Sequence, residues 1–218
     1  MKDFESSVYD GFNDLVRRVE ITKDARFQAN IRLERRQKRS YFVISILFLF
    51  VIVVSLIPNM VTLNQFQTQL LLSITVVNFV FIIITTFMEA AGNFYHRGEH
   101  LHRSARSIAS VHNQLVLLSD EEKIDQSKIK QLQSEYQAAL DDCSFNHENI
   151  DYLLVQTQKP KLFSNKISQA SGWLEFMTSM RILKYYVFDF SWAIPHFLFA
   201  LISIVLIYVF IFMSVTIT

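Results

Sequence analysis

The chain is poor in the residues that build disulfide frameworks, tight turns and strongly charged surfaces. Cys143 is the only cysteine among 218 residues, which excludes an internal disulfide framework and fits a reducing compartment. Four glycines and three prolines argue against an architecture of strands and tight turns. The 21 basic and 20 acidic side chains give a net charge of +1, which argues against direct nucleic-acid binding.

A second absence is more informative, because no Asp, Glu, Lys or Arg occurs in residues 41–88. This segment contains two apolar stretches, 41–57 and about 69–88, with a polar hinge, Pro58–Thr68, between them. A helix needs about 20 apolar residues to cross the hydrocarbon core of a bilayer. The segment therefore predicts a transmembrane helical hairpin, and a third apolar stretch within residues 191–217 predicts a third transmembrane helix.

Basic and aromatic residues beside these stretches predict the orientation of the chain in the membrane. The hinge is uncharged, whereas cationic residues cluster before the first stretch, after the second and before the third. By the positive-inside rule, the N-terminus and residues 89–186 are expected in the cytoplasm, and the hinge and C-terminus outside. The residues expected to anchor the chain at the membrane interface are Arg35, Arg36, Lys38, Arg39, Lys184 and Trp192.

Apolar residues at helical spacing predict that the rest of the chain is also α-helical. Residues 1–40 form an amphipathic helix that becomes basic toward the first span, and residues 161–190 form an amphipathic segment at the membrane interface. Residues 89–160 predict a cytoplasmic hairpin of two long helices. Its first helix continues the second span, and its second carries a heptad seam and ends at Pro160. The expected fold class is an all-α membrane protein.

Polar residues on and beside this heptad seam are candidates for a packing or signal switch. Asn146 lies at a seam position, where a polar residue usually specifies register or partner geometry. His147 and Asp151 are four residues apart and are expected to meet on one helical face. The pair could serve structural packing, a ligand or activation switch, or a catalytic base. The full candidate set is Tyr136, Asn146, His147, Asp151 and Tyr152.

Polar residues inside the predicted spans form a second candidate site. Thr75, Asn78 and Thr86 share one face of the second span, and Ser203 lies in the third. An asparagine is costly when it faces lipid, so this face is expected to meet another helix or a water path. Two interpretations remain open: hydrogen bonding between helices, or the lining of a pore in an oligomer.

One short motif has the spacing of a metal site. His96, Glu99 and His100 match the H-x-x-E-H pattern of inverted zinc metallopeptidases, with Glu99 as the base. A catalytic zinc also needs a third protein ligand, which the motif does not contain. The favoured interpretation is a polar helix start at the lipid–water boundary, so no metal or cofactor is expected and zinc peptidase activity is a remote alternative.

Three features in this order resemble the SLATT family, the SMODS- and SLOG-associating two-transmembrane effector domains of bacterial conflict systems. The first is the basic helix of residues 25–36 that leads into the first span, and the second is the His- and Arg-bearing segment 100–108 after the hairpin. The third and most specific is Tyr136 followed ten residues later by the segment Asn146–Tyr152. The resemblance covers about residues 10–160, and the third span departs from a plain two-span pattern.

The resemblance implies an oligomeric, pore-forming or membrane-disrupting effector of antiphage defence and abortive infection in the bacterial inner membrane. It also implies a signal from a neighbouring nucleotidyltransferase, nucleotide sensor or reverse transcriptase, and no enzymatic activity of the chain itself. The alternative is a non-conducting membrane scaffold that recruits a soluble partner through its cytoplasmic helices.

Overall fold

A computed structural model describes residues 2–119, 125–163, 172–191 and 194–216 of the chain. These residues form helices and short connections, with no strand among them, so the predicted all-α class is confirmed. The α-helices are α1 (Lys2–Met60), α2 (Gln65–Gly92), α3 (Phe94–Ser119), α4 (Gln126–Asp141), α5 (Asn149–Gln158), α6 (Gly172–Ser191) and α7 (Ile194–Thr216). A 3₁₀ turn, Pro160–Leu162, follows α5, as expected for a helix that ends before a proline.

Two helical stretches of the described chain are long and apolar enough to cross a membrane. They lie within Gly11–Met60 and Gln65–Ser119, and a shorter apolar helical stretch occupies Phe197–Tyr208. Large apolar side chains on the first two remain exposed, including Phe42, Phe66 and Phe87. A soluble monomer rarely exposes such a continuous apolar surface, whereas lipid covers it at no cost. The third span stays a prediction.

The connection between the two spans is shorter than the predicted hinge. The first helix continues through Pro58, which lies in its last turn, and the second begins at Gln65. Asn64 fixes this start, because its Oδ1 accepts from the Gln67 backbone N–H at 2.8 Å. The Gln67 side-chain oxygen accepts in return from the Asn64 N–H at 2.9 Å. This reciprocal capping box satisfies two N–H groups that the helix itself leaves unpaired.

The sequence pattern predicts that the helix after the second span continues it, but the structure has an interruption of one residue between α2 and α3. Asn93 separates α2 from α3 with a backbone φ of 43°, in the left-handed region. Its N–H still donates to the Glu89 carbonyl at 3.1 Å. Asparagine tolerates this conformation better than most residues, so it ends one helix and lets the next begin at once.

The prediction of a single heptad helix that ends at Pro160 is wrong, because residues 142–148 separate two helices, α4 and α5. Apolar spacing continues across the break, but local capping overrides it. Asp142 caps the C-terminus of α4, and Glu148 is the N-cap of α5. A capping box between Glu148 and Asp151 then starts the new helix.

The chain divides into two compact units, and α1 supplies residues to both. Unit 1 comprises Met1–Glu34 and Tyr95–Val187, and unit 2 comprises Arg35–Phe94 and Phe188–Thr218. The described core of unit 1 joins α1, α3 and α4 through Phe12, Leu15, Val19, Ile108, Val111, Leu115, Leu118 and Leu132. The core of unit 2 joins α1 and α2, with α7 packed against it, through Val43, Leu47, Val51 and Ile82.

Candidate functional site

The buried face of α1 in unit 1 carries two arginines where an apolar residue would be expected. Ala25 and Ala29 are fully buried on this face, and their small side chains let neighbouring helices approach closely. Arg26 and Arg32 extend from the same region into the interior, where Arg32 is only 1% exposed. Buried cations require partners, so these two side chains define the polar centre of the unit.

Arg32 holds α5 through a two-pronged ion pair with Asp151. Its Nε donates to Asp151 Oδ1 and its Nη2 to Oδ2, each at 2.9 Å, and Asp151 is 0% exposed. Glu148 adds a second carboxylate, with Oε1 at 3.1 Å from Arg32 Nη2. Burial by itself lowers the pKa of Arg32, but the bonds and charges of Asp151 and Glu148 raise it overall. The guanidinium is therefore firmly charged in this site.

Asp151 is placed for this role by the start of α5. It lies in the first turn, and its Oδ2 accepts the Glu148 backbone N–H at 3.0 Å. The positive end of the helix dipole also favours a carboxylate at this position. His147 precedes the helix, so the prediction that His147 and Asp151 share a helical face is wrong. Asp151 instead joins α5 to α1.

Arg26 caps the C-terminus of α4. Its Nη1 lies 3.3 Å from the Ala139 carbonyl oxygen, and it also donates to the Ser104 hydroxyl of α3. Ser104 in turn donates to the same carbonyl at 2.8 Å. Burial lowers the pKa of Arg26. The negative end of the α4 dipole partly compensates this buried charge, and three helices meet at one carbonyl group.

The other predicted switch residues differ in what they contact. The Tyr136 hydroxyl of α4 lies 2.9 Å from Thr22 Oγ1 of α1, which adds a polar contact to the same helix pair. Tyr152 packs edge-on against Phe163, with ring centroids 5.2 Å apart. Asn146 is exposed, and its Oδ1 accepts the His147 backbone N–H at 2.9 Å. Its predicted seam position is wrong, because the heptad helix is broken there.

His147 should make unit 1 less stable in acid. Burial lowers its pKa, the charge of Arg26 lowers it further, and Asp151 opposes both. A histidine with a lowered folded-state pKa binds its proton more readily when unfolded, so stability rises with pH. The contribution of neutral His147 to stability is fully present above about pH 6.5, the pKa of a histidine in the unfolded chain. It is lost as the pH falls through the lower pKa of His147 in the folded protein. We expect the thermal unfolding midpoint of the purified protein to decrease as the pH is lowered from 7.5 to 5.

A glutamine at His147 is expected to flatten this dependence while leaving the midpoint at pH 7.5 nearly unchanged. His112 provides the comparison, because burial and Lys23 lower its pKa also, against the raising effects of Glu20 and Asp24. His112→Gln should remove a separate part of the dependence. If the thermal midpoint of His147→Gln decreases with falling pH as steeply as that of the wild type, the pH dependence does not come from His147.

The histidines of the zinc-like motif contact aromatic rings. The His96 and His100 rings are 4.3 Å apart, and each packs edge-on against Phe145. Glu99 pairs instead with Arg103 on the helix surface. Within residues 2–119, 125–163, 172–191 and 194–216, no three His, Cys, Asp or Glu side chains are grouped to hold a metal ion.

In unit 2, two of the predicted membrane anchors are engaged by an acid that sequence reasoning missed. The side chain of Asp189 in α6 is 0% exposed, and its Oδ2 lies 2.9 Å from Arg39 Nη2. Its Oδ1 lies 3.8 Å from Arg36 Nε. The signal available in the sequence is an isolated acid among aromatic residues, Tyr-Tyr-Val-Phe-Asp-Phe. Of the other predicted anchors, Lys38 and Lys184 are exposed, Arg35 is half-buried and Trp192 lies outside the described residues.

The structure brings together only part of the predicted polar face of the spans. Asn78 of α2 and Ser203 of α7 are 1% and 4% exposed, with 3.5 Å between Asn78 Oδ1 and Ser203 Oγ. Thr75 is half-buried and donates to the Leu71 carbonyl at 2.9 Å. Thr86 is exposed, and its neighbour Thr85 is buried in its place.

Comparison with known families gives one match over nearly the whole chain. Residues 10–213 match the model described as SMODS and SLOG-associating 2TM effector domain family 5. The match includes the predicted switch residues, the hairpin and most of α7. No curated protein and no solved structure matches the chain.

Proposed function

Because the chain belongs to the SMODS and SLOG-associating 2TM effector domain family 5, we propose that it is the membrane-damaging effector of a bacterial antiphage system. In this proposal it forms an oligomeric pore in the inner membrane when a partner encoded beside it signals infection. The observation that carries the proposal is the pairing of an apolar helical hairpin with a separate helical unit built around buried ion pairs.

The membrane part of the proposal rests on the surface and interior of unit 2. Most of its exposed residues along both helices of the hairpin are apolar, and the exposed hydroxyls of Ser45, Ser73 and Thr86 donate to carbonyls of their own helices, as lipid contact requires. Its interior contains Asn78, an uncharged polar residue that can line a water path without carrying a proton. A leak of ions or small solutes fits these residues better than ion-coupled transport, which usually relies on charged side chains within the membrane.

The signalling part of the proposal rests on unit 1. We assign the resting state to the joint that Arg32, Asp151 and Glu148 form between α1 and α5. A signal shifts a two-state equilibrium from 1:99 to 99:1 only if it favours the open state by about 5.5 kcal/mol. Rearranging one buried, hydrogen-bonded ion pair changes the free energy by a comparable amount.

The family description and the charge pattern support the proposed partner and topology. The family is described as SMODS and SLOG-associating, which favours a nucleotidyltransferase or a nucleotide sensor as the source of the signal. The basic residues beside the spans favour a cytoplasmic unit 1, where such a signal would arrive. The proposed role is not enzymatic.

Expression of the chain with its neighbouring genes tests the proposal. After phage infection, we expect a potential-sensitive dye to report loss of membrane potential, and an impermeant DNA stain to enter the cells afterwards. Cells that express the neighbouring genes without this chain should keep their potential over the same period.

Two results would count against the pore. Infected cells that express the complete set of genes and keep both potential and permeability would overturn it. A stable complex of the chain with a soluble partner, formed without any leak, would favour the membrane scaffold instead.

A further inference from the structure

Within unit 2, helix α7 covers Asn78, the most buried residue of the predicted polar face of α2. Ser203 of α7 lies against Asn78, and both are almost fully buried. One turn further along α2, the Phe81 and Phe199 rings are stacked with centroids 3.9 Å apart. Phe199 and Ala200 also pack on the cluster that joins α1 to α2. The residue best suited to line a water path is therefore occluded by the chain itself.

A buried ion cluster holds the segment that leads into α7. Asp189 pairs with Arg39 at 2.9 Å and with Arg36 at 3.8 Å, and Arg39 Nη1 also donates to the Asp189 carbonyl at 3.0 Å. The two guanidinium groups lie over the rings of Phe188 and Phe190. Phe190 stacks on Phe197 of α7, with ring centroids 5.7 Å apart. This stack links the ion cluster to the helix that covers Asn78.

In a bilayer, polar contacts favour the position that α7 takes in the structure. Lipid tails are as apolar as the side chains of α7, so burial of apolar surface gives little preference for helix–helix over helix–lipid contact. A charged Asp189 separated from both arginines would be an uncompensated charge beside apolar helices. The uncharged side chain of an Asp189→Asn variant could separate from the two arginines without leaving such a charge on α6. The ion cluster therefore resists displacement of the segment that leads into α7.

We propose that α7 is an internal seal over Asn78 of α2, and that Asp189, through Arg36 and Arg39, is the latch that keeps the seal in place. This inference rests on the proposed pore function. It assigns α7 to the closed state: activation moves α7 away from Asn78, and the resting protein does not leak because α7 is there.

Neutralising the latch tests the inference without a trigger. Asp189→Asn should raise dye-reported leak in uninfected cells about tenfold over the wild type, since a modest change in the closed-to-open ratio multiplies a rare population. Asp142→Asn is the matched control, because it makes the same chemical change at an exposed residue of unit 1 that caps α4 through its backbone N–H. Membrane insertion of each variant is measured by extraction and blotting, so that a variant that fails to insert is recognised.

Cross-linking tests the seal in a chain whose latch is intact. Phe81→Cys and Phe199→Cys, in a Cys143→Ser background, place two thiols where the stacked rings lie. A short, reducible bifunctional thiol reagent should join them in the resting protein, and joining should abolish the leak after infection until a reductant restores it. Asp189→Asn should lower the cross-linking yield.

The outcomes separate the inference from the pore itself. If cross-linked protein leaks as much as untreated protein after infection, the seal is overturned while the pore stands. If Asp189→Asn inserts normally and neither leaks nor cross-links less, the latch is overturned. If the wild type never leaks after infection, the proposed function fails first.

Discussion

Replacing Arg32 with alanine should destabilise unit 1 by about 3–5 kcal/mol, the usual cost of removing one partner from a buried ion pair. The cost arises because Asp151 has no access to water and would lose the cation that donates to both of its carboxylate oxygens, while the Glu148 N–H still donates to it. Hydrogen exchange of the α5 amides, followed by mass spectrometry of the whole chain in detergent, measures this opening free energy directly. Exchange in α5 should accelerate more than in α2.

Two further variants separate burial from charge. Arg18→Ala removes an arginine of the same helix whose side chain is 58% exposed and lies 2.9 Å from Asp14, and it should leave exchange in α5 nearly unchanged because exposed ion pairs contribute little to stability. Arg32→Met combined with Asp151→Leu should recover much of the loss, because well-packed apolar residues can replace a buried ion pair. Equal exchange rates in Arg32→Ala and Arg18→Ala would show that the buried joint does not hold α5.

The helices and spans are readable from sequence because their signals are local. The absence of charged residues from 41–88 predicts the two spans, and Pro160 predicts the end of α5. Each prediction depends on residues that are neighbours in the sequence. The break between α4 and α5 is also local, but two local signals conflict there. The apolar spacing of Cys143 and Ile150 continues a helix, while the capping box of Glu148 and Asp151 starts a new one. Capping prevails because it satisfies N–H groups that spacing does not address.

Only part of the site can be predicted from the sequence, because its ion pairs join segments that are far apart in the chain. Asp151 can be singled out from its motif, but its partner Arg32 lies 119 positions away within a run of basic residues. Nothing in that run distinguishes Arg32 from its neighbours except its place on the buried face of α1. Asp189 and Arg39, 150 positions apart, pose the same difficulty. Composition predicts membrane anchors in general, whereas tertiary packing decides which cations meet an acid.

Asn78→Leu should reduce the leak after infection about tenfold, because an apolar constriction excludes water from a narrow path. Insertion should not suffer: leucine favours the bilayer, and a hydrogen bond between membrane helices contributes only about 0.6 kcal/mol on average. Dye response after infection measures the first effect, and the amount of protein extracted from washed membranes measures the second.

Comparison of Thr86→Val with Asn78→Leu tests which surface lines the path of the leak. The sequence pattern places Thr86 and Asn78 on one face, whereas in the structure only Asn78 is buried. Asn78 is buried beneath α7, whereas Thr86 is exposed and donates to the Ile82 carbonyl at 2.8 Å. A path opened within unit 2, by movement of α7, should respond to Asn78→Leu and not to Thr86→Val. A path enclosed by the outer faces of several hairpins should respond in the opposite way. The two variants, at matched expression, therefore decide whether each chain opens its own interior or lends its surface to a ring.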